Sequence, residues 1–137
     1  MNSDYRVLVV DDEDVVRLSY AAALAHSSCE LRTARNGAEA MRAMERDPFD
    51  VVFLDLRMPG QDGMSVLRRI KHQWPESEVV IVTGYPSVDT AKEAVRLGAF
   101  DYLAKPVGPD DIVGAASGAI TRKQWALRDT ITTRSIP

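Results

Sequence analysis

Acidic, hydroxyl and amine side chains recur at equivalent places in this chain, each directly after an apolar run. "RVLVV" is followed by Asp11, Asp12 and Glu13, "VVFL" by Asp55, "VVIV" by Thr83-Gly84, and "DYLA" by Lys105-Pro106. Each has an ordinary explanation in isolation. The first acids suit a helix start, Asp55 a turn through Pro59-Gly60, Thr83 a turn, and Lys105 a solvated charge. The set is harder to dismiss. Three carboxylates brought within ~4 Å repel by about 4 kcal/mol per pair at an effective dielectric of 20, so convergence implies a compensating cation. An all-oxygen site with few carboxylates and room for water suits Mg²⁺, whereas Ca²⁺ takes six to eight oxygen ligands. With a hydroxyl and an ammonium beside Asp55, the arrangement fits a carboxylate nucleophile that carries a phosphoryl group.

Such convergence requires the runs to be parallel strands. Apolar segments at 6–10, 29–34, 50–54, 78–82 and 99–103 alternate with helix-length amphipathic stretches. That pattern predicts five β-α units, an α/β fold with a parallel sheet. Strands one, three and four are continuously apolar, as where helices cover both faces. Strand two alternates with Glu30 and Arg32, and strand five contains Asp101, so both read as edges. The expected fold is therefore a (βα)5 doubly wound, flavodoxin-like sheet of order 2-1-3-4-5, whose ligands bind beyond the carboxyl ends of the strands.

Helix boundaries are expected at Asp14 as the cap of helix one, at Asn36-Gly37 for helix two and just after Gly63 for helix three. Ser87 is the expected cap of helix four, Gly98 its stop, and helix five should start near Asp110. Gly114 and Gly118 each cost about 1 kcal/mol against alanine inside a helix, so helix five should be the weakest unless it packs tightly or docks on a partner. The last residues should continue that helix and then fray. Residues 1–122 read as one domain, with 123–137 a helical extension or linker.

The chain has 137 residues, 45% hydrophobic and 27% charged, with a net charge of −3, which is ordinary for a globular domain and offers no general attraction to nucleic acid. The start "MNSDYRV" lacks the features of a signal peptide, and no apolar run approaches the ~20 residues of a membrane span, so a cytoplasmic location is expected. The lone cysteine, Cys29, reads as a small core residue. His26 and His72 lie in no ligand motif.

Taken jointly, "VLVVDDE", "VVFLDLRMPGQDG", "VTGYPS" and "GAFDYLAKP" resemble the receiver domain of two-component response regulators, of the transcriptional-activator or hybrid-kinase type, from about Tyr5 to Arg122. The resemblance implies Asp55 as phosphoacceptor, Asp12 as a direct Mg²⁺ ligand, Asp11 as a ligand through water and the Arg57 carbonyl as another direct ligand. It implies that Thr83 and Lys105 hold phosphoryl oxygens, that Thr83 and Tyr102 form the switch, and that Lys105-Pro106 is cis. The implied donor is a phosphohistidine on a sensor histidine kinase or phosphotransfer protein. The implied output is a homodimer or effector contact through the face of helix four, strand five and helix five, with no nucleic acid or membrane bound by this chain. Such a receiver is a signalling module that catalyses only its own Mg²⁺-dependent phosphorylation and dephosphorylation. Arg57 and Tyr85 would flank the phosphoryl group and set its lifetime. The main alternative is a receiver-like interaction module that phosphorylation does not switch. A haloacid-dehalogenase phosphatase would want an acid where Arg57 stands, and a flavodoxin would not place three acids beside a flavin phosphate.

Overall fold

The computed structural model describes residues 3–135, with side chains described through Arg128. One sheet contains five parallel strands: β1 (Tyr5–Val10), β2 (Cys29–Ala34), β3 (Val51–Asp55), β6 (Glu78–Thr83) and β7 (Asp101–Ala104). Their order is β2-β1-β3-β6-β7, which is 2-1-3-4-5 once the small hairpin of β4 (Arg57–Met58) and β5 (Gln61–Asp62) is set aside. The helices are α1 (Asp14–Ala23), α2 (Gly37–Arg46), α3 (Gly63–Gln73), α4 (Val88–Arg96) and α5 (Pro109–Ser135).

Strand alternation divides the interior into two cores. Leu8, Val10, Val52, Leu54, Val79 and Ile81 face α2, α3 and α4, packing with Met41, Met44, Leu67, Ile70 and Ala94. Val7, Val9, Val51, Phe53, Val80 and Val82 face α1 and α5, packing with Tyr20, Leu24, Ile112, Ala115, Ala116 and Ala119. With helices on both faces, the central strands can be apolar throughout. Every residue of β3 and β6 is buried, whereas the edge strands β2 and β7 remain partly open. Cys29 is half-buried against the second core, and both histidines are exposed.

Several boundaries follow their local chemistry. Asn36 caps α2 by accepting from the Glu39 N–H, and Ser87 caps α4 by accepting from the Thr90 N–H. Gly98 follows α4 with φ +96°, the left-handed conformation that glycine adopts without penalty. Two expectations need correction. Asp14 is the first helical residue of α1, not its cap; Glu13 stands at the cap position without a side-chain cap bond, and its own N–H donates to the Asp11 carboxylate at 2.9 Å. Gly63 likewise lies inside α3, whose cap is Asp62, accepting from the Met64 N–H at 3.1 Å.

α5 starts at Pro109, a residue suited to the first helical position because its missing N–H would be unpaired there anyway. Among the described residues it is held by buried Ile112, Ala115, Ala116 and Ala119 and by two ion pairs, Lys123 to Asp50 and Arg122 to Glu78 at 3.0 Å. The helix continues to Ser135; residues 136–137, on which part of the expected fraying falls, lie outside the described residues. Among the described residues no helix is long and apolar enough to cross a membrane.

Candidate functional site

Register brings the sequence-selected residues to one rim. Val10 pairs with Leu54, Asp55 with Val82, and Thr83 with Ala104, so Asp11, Asp55, Thr83 and Lys105 lie side by side at the carboxyl ends of β1, β3, β6 and β7. Asp11, Asp55 and Thr83 are 2%, 4% and 1% exposed, so the sheet holds each almost out of solvent. Asp12 is exposed at the mouth.

Carboxylate oxygens of Asp11, Asp12 and Asp55 all lie within 4.8 Å of one another. The Lys105 ammonium donates to Asp11 Oδ2 at 2.9 Å and to Asp55 Oδ2 at 3.3 Å. The remaining oxygen of Asp55, Oδ1, accepts from the Arg57 N–H at 3.0 Å. Burial pushes the Asp55 carboxyl above the usual carboxylate range; the Arg57 N–H and the Lys105 charge oppose that rise, and Asp11 adds to it. For Lys105, burial disfavours the charge, but its bonds to Asp11 and Asp55 outweigh burial and hold the ammonium above its ordinary value. One ammonium against three carboxylates leaves two negative charges uncompensated, which the chemistry of an oxygen-liganded divalent cation fits. An open cleft lined by Asp12, Glu13, Leu56, Arg57, Met58 and Asp62 gives access from solvent.

The β4–β5 hairpin shapes that cleft. Pro59-Gly60 forms its tip, with Gly60 at φ +73°, as the third position of a type II turn requires. Gly63 allows the chain to return past Asp55: a Cβ there would lie 2.5 Å from Leu56 Cα and 2.9 Å from the Asp55 carbonyl oxygen. The Gln61 side chain accepts from the Gly37 N–H and so ties the hairpin to the start of α2.

On the opposite side, the Thr83 hydroxyl oxygen accepts from the Tyr85 N–H at 3.1 Å, which still leaves its own proton to donate. The Arg57 guanidinium lies over the Tyr85 ring, 4.4 Å from its centroid. Lys105-Pro106 is cis. Tyr102 lies away from the carboxylates, half-buried against the first core, with its hydroxyl at the start of α4. The sequence points to Arg57 and Tyr85 as flanking residues and to Tyr102 as a switch residue, but not to the contacts they make. A stacked pair and a tyrosine–threonine bond are long-range contacts with no local periodicity to reveal them.

Comparison with known proteins agrees with this geometry. The family model for the response regulator receiver domain matches residues 7–117. The alginate biosynthesis transcriptional regulatory protein AlgB of Pseudomonas syringae pv. tomato is 38% identical over 90% of this chain and 28% of its own length. The DNA-binding transcriptional regulator NtrC of Escherichia coli is 40% identical over 86% of this chain and 25% of its own. The chain thus spans about a quarter of the length of these relatives. Among solved structures, NtrX from Brucella abortus superposes with a TM-score of 0.87 at 33% identity, covering 96% of this chain and 30% of that one. A response regulator receiver domain protein from Clostridium thermocellum gives 0.82 at 36% identity, covering 89% and 98% of the two chains. The chain belongs to the response regulator receiver domain family.

Proposed function

We propose that this chain is a phosphorylation-activated signalling switch in which Asp55 accepts a phosphoryl group from a phosphohistidine of a sensor histidine kinase or phosphotransfer protein. The observation that carries this reading is the approach of Lys105 Nζ to two nearly dry carboxylates, 2.9 Å from Asp11 and 3.3 Å from Asp55. In transfer, a carboxylate oxygen of Asp55 attacks phosphorus, a P–O bond forms, the P–N bond of the phosphohistidine breaks and its electron pair returns to the imidazole. Asp12, Asp55 and the Arg57 carbonyl would hold Mg²⁺ directly, with Asp11 acting through water. When bound, that ion supplies neutralisation of the charge on the phosphoryl oxygens.

The protein groups have separate tasks. Lys105 draws one phosphoryl oxygen toward the Asp11 side, and the Thr83 hydroxyl, free to donate, holds another. The Arg57 N–H bond to Asp55 Oδ1 fixes the carboxylate plane, so that little reorientation remains for the reaction. Hydrolysis then returns the free carboxylate when water attacks phosphorus, and the Arg57–Tyr85 stack stands where it screens such water. Residues 1–122 form the receiver in this reading, and 123–137 extend α5. Output passes through the face of α4, β7 and α5 to a second copy or an effector, with Thr83 and Tyr102 as the switch residues. The setting is cytoplasmic, where histidine kinases deliver phosphate.

Intact mass after incubation with acetyl phosphate tests the reading. The expected result is a gain of one phosphoryl group that requires both Mg²⁺ and Asp55. A folded protein that gains none, even with a fast-trapping quench, would instead be a constitutive interaction module.

A further inference from the structure

The start of α4 is tied to β7 by a closed set of hydrogen bonds that the phosphoacceptor chemistry does not use. The Tyr102 hydroxyl lies 2.6 Å from Thr90 Oγ1 and accepts from the Ser87 N–H at 3.2 Å. Ser87 Oγ accepts from the Thr90 N–H at 3.1 Å and lies 2.8 Å from Thr90 Oγ1, which is also 3.3 Å from the Ser87 carbonyl oxygen. One assignment uses every proton once. Ser87 N–H donates to Tyr102, Tyr102 O–H and Ser87 O–H donate to Thr90 Oγ1, Thr90 O–H donates to the Ser87 carbonyl, and Thr90 N–H donates to Ser87 Oγ. Thr90 is the hub, since its hydroxyl serves both helix cap and tyrosine.

This matters because α4 has little else to hold it. Ala94 is its one buried residue, whereas α3 buries five, and Val88 and Val95 are 69% and 70% exposed. The latch is also adjacent to the switch. Only Gly84, Tyr85 and Pro86 separate Thr83 from Ser87, and this short strap is gripped at one end by the bond from Tyr85 N–H to Thr83 Oγ1 and at the other by the Tyr102 hydroxyl. If the Thr83 oxygen turns toward a phosphoryl group, the Tyr85 N–H loses its acceptor and the strap is free to move. The Ser87–Thr90–Tyr102 set resists that movement.

We propose that Thr90 is a positioning residue that latches Tyr102 to the start of α4 and so sets the resting bias of the switch. The proposal rests on the reading of Asp55 as phosphoacceptor and adds to it a residue that does not touch the reacting atoms. A purely structural role for Thr90, as part of the α4 cap, makes a different prediction: loss of its hydroxyl would weaken the fold and leave the switch equilibrium where it was.

The test combines hydrogen exchange of the unphosphorylated protein with phosphorylation by acetyl phosphate and Mg²⁺, in wild type, Thr90→Val, Thr90→Ser and Tyr102→Phe. In Thr90→Val, the amides of Tyr85 and of residues 87–91 should exchange roughly three- to tenfold faster, the population change that one hydrogen bond of ordinary net strength commands. Exchange in the central strands should not change, and phosphorylation of Asp55 should speed up by a similar factor. Thr90→Ser, which keeps the hydroxyl, should behave as wild type. Tyr102→Phe should reproduce the valine effect, and the double variant should add little to either. Unchanged phosphorylation in Thr90→Val, with faster exchange throughout the domain or none, would overturn the proposal. Wild type that takes no phosphoryl group would overturn the phosphoacceptor reading, which is a separate failure that the exchange comparison alone does not produce.

Discussion

The guanidinium of Arg57, two residues beyond Asp55, stacks on the ring of Tyr85, two residues beyond Thr83, at 4.4 Å from the ring centroid. Both side chains are exposed, and the stack joins the β4–β5 hairpin to the segment that follows β6.

That stack should control how fast water reaches an aspartyl phosphate. An exposed cation–π contact contributes about 0.5–1 kcal/mol, so opening it should change the decay rate about two- to fivefold. Arg57→Asn and Tyr85→Ala should each accelerate loss of the phosphoryl group, and the double variant should do little more than either. Mass-resolved decay curves check this; unchanged decay in both single variants removes the screening role.

Asp55 should be a source of instability in the metal-free protein. Its raised carboxyl means that the native state holds the proton more tightly than the unfolded chain, so stability falls as pH rises from the unfolded carboxylate range through the folded value. Asp55→Asn removes that loss. The variant should melt higher than wild type at neutral pH without divalent ions, and the difference should shrink toward about pH 4, where the unfolded carboxylate itself protonates. Mg²⁺ at a hundredfold excess over its dissociation constant should recover about 2.7 kcal/mol in wild type and less in the variant. Equal melting curves at every pH would contradict the burial argument.

Glycine substitutions should act in opposite directions. Gly63→Ala places a Cβ against backbone atoms that carry the acceptor loop, so it should cost about 1–3 kcal/mol and slow phosphorylation as well. Gly114→Ala meets nothing within 4 Å, and in a helix interior it should stabilise by about 1 kcal/mol. Urea unfolding of both variants checks the contrast.

The base of α5 should depend on Glu78 more than on its exposed partner. Glu78, with a side chain only 6% exposed, lies 3.5 Å from Lys71 Nζ and 3.0 Å from Arg122 Nε. Glu78→Gln removes the negative charge facing the largely buried Lys71 and leaves it only neutral oxygens, those of the Pro75 and Ser77 carbonyls and the new amide, so it should cost about 1–3 kcal/mol. Arg122→Ala, which removes a half-exposed charge, should cost less than about 1 kcal/mol. Urea midpoints in the reverse order would show that Arg122 is the anchor.

The parts of this structure that were legible from sequence are those encoded locally. Continuous apolar runs at β1, β3 and β6 against interrupted ones at β2 and β7 separate central strands from edges, and that division agrees with the doubly wound order 2-1-3-4-5. Once the order is known, Asp11, Asp55, Thr83 and Lys105 must share a rim. The hairpin of β4 and β5 escaped detection because two-residue strands carry no periodicity. The cap of α1 lies one residue earlier than expected, at Glu13 and not Asp14, because a run of four acids, Asp11 to Asp14, offers no single cap by its spacing alone. Glu78 and Lys123 anchor α5 through partners 44 and 73 residues distant, Arg122 and Asp50, a pairing that no local pattern encodes. The contact of Thr90 with Tyr102 is likewise hidden from the sequence, because the two stand on different elements.

Reductive trapping with borohydride after acetyl phosphate treatment tests the central claim most directly, since it converts an acyl phosphate at aspartate into homoserine and so records which carboxyl was modified. The peptide between Arg46 and Arg57 contains Asp47, Asp50 and Asp55, and fragmentation separates them. Conversion confined to Asp55 and absent without Mg²⁺ is the expected result. Conversion at another aspartate, or none in a sample whose intact mass shows the phosphoryl group, would contradict the assignment of Asp55 as the acceptor.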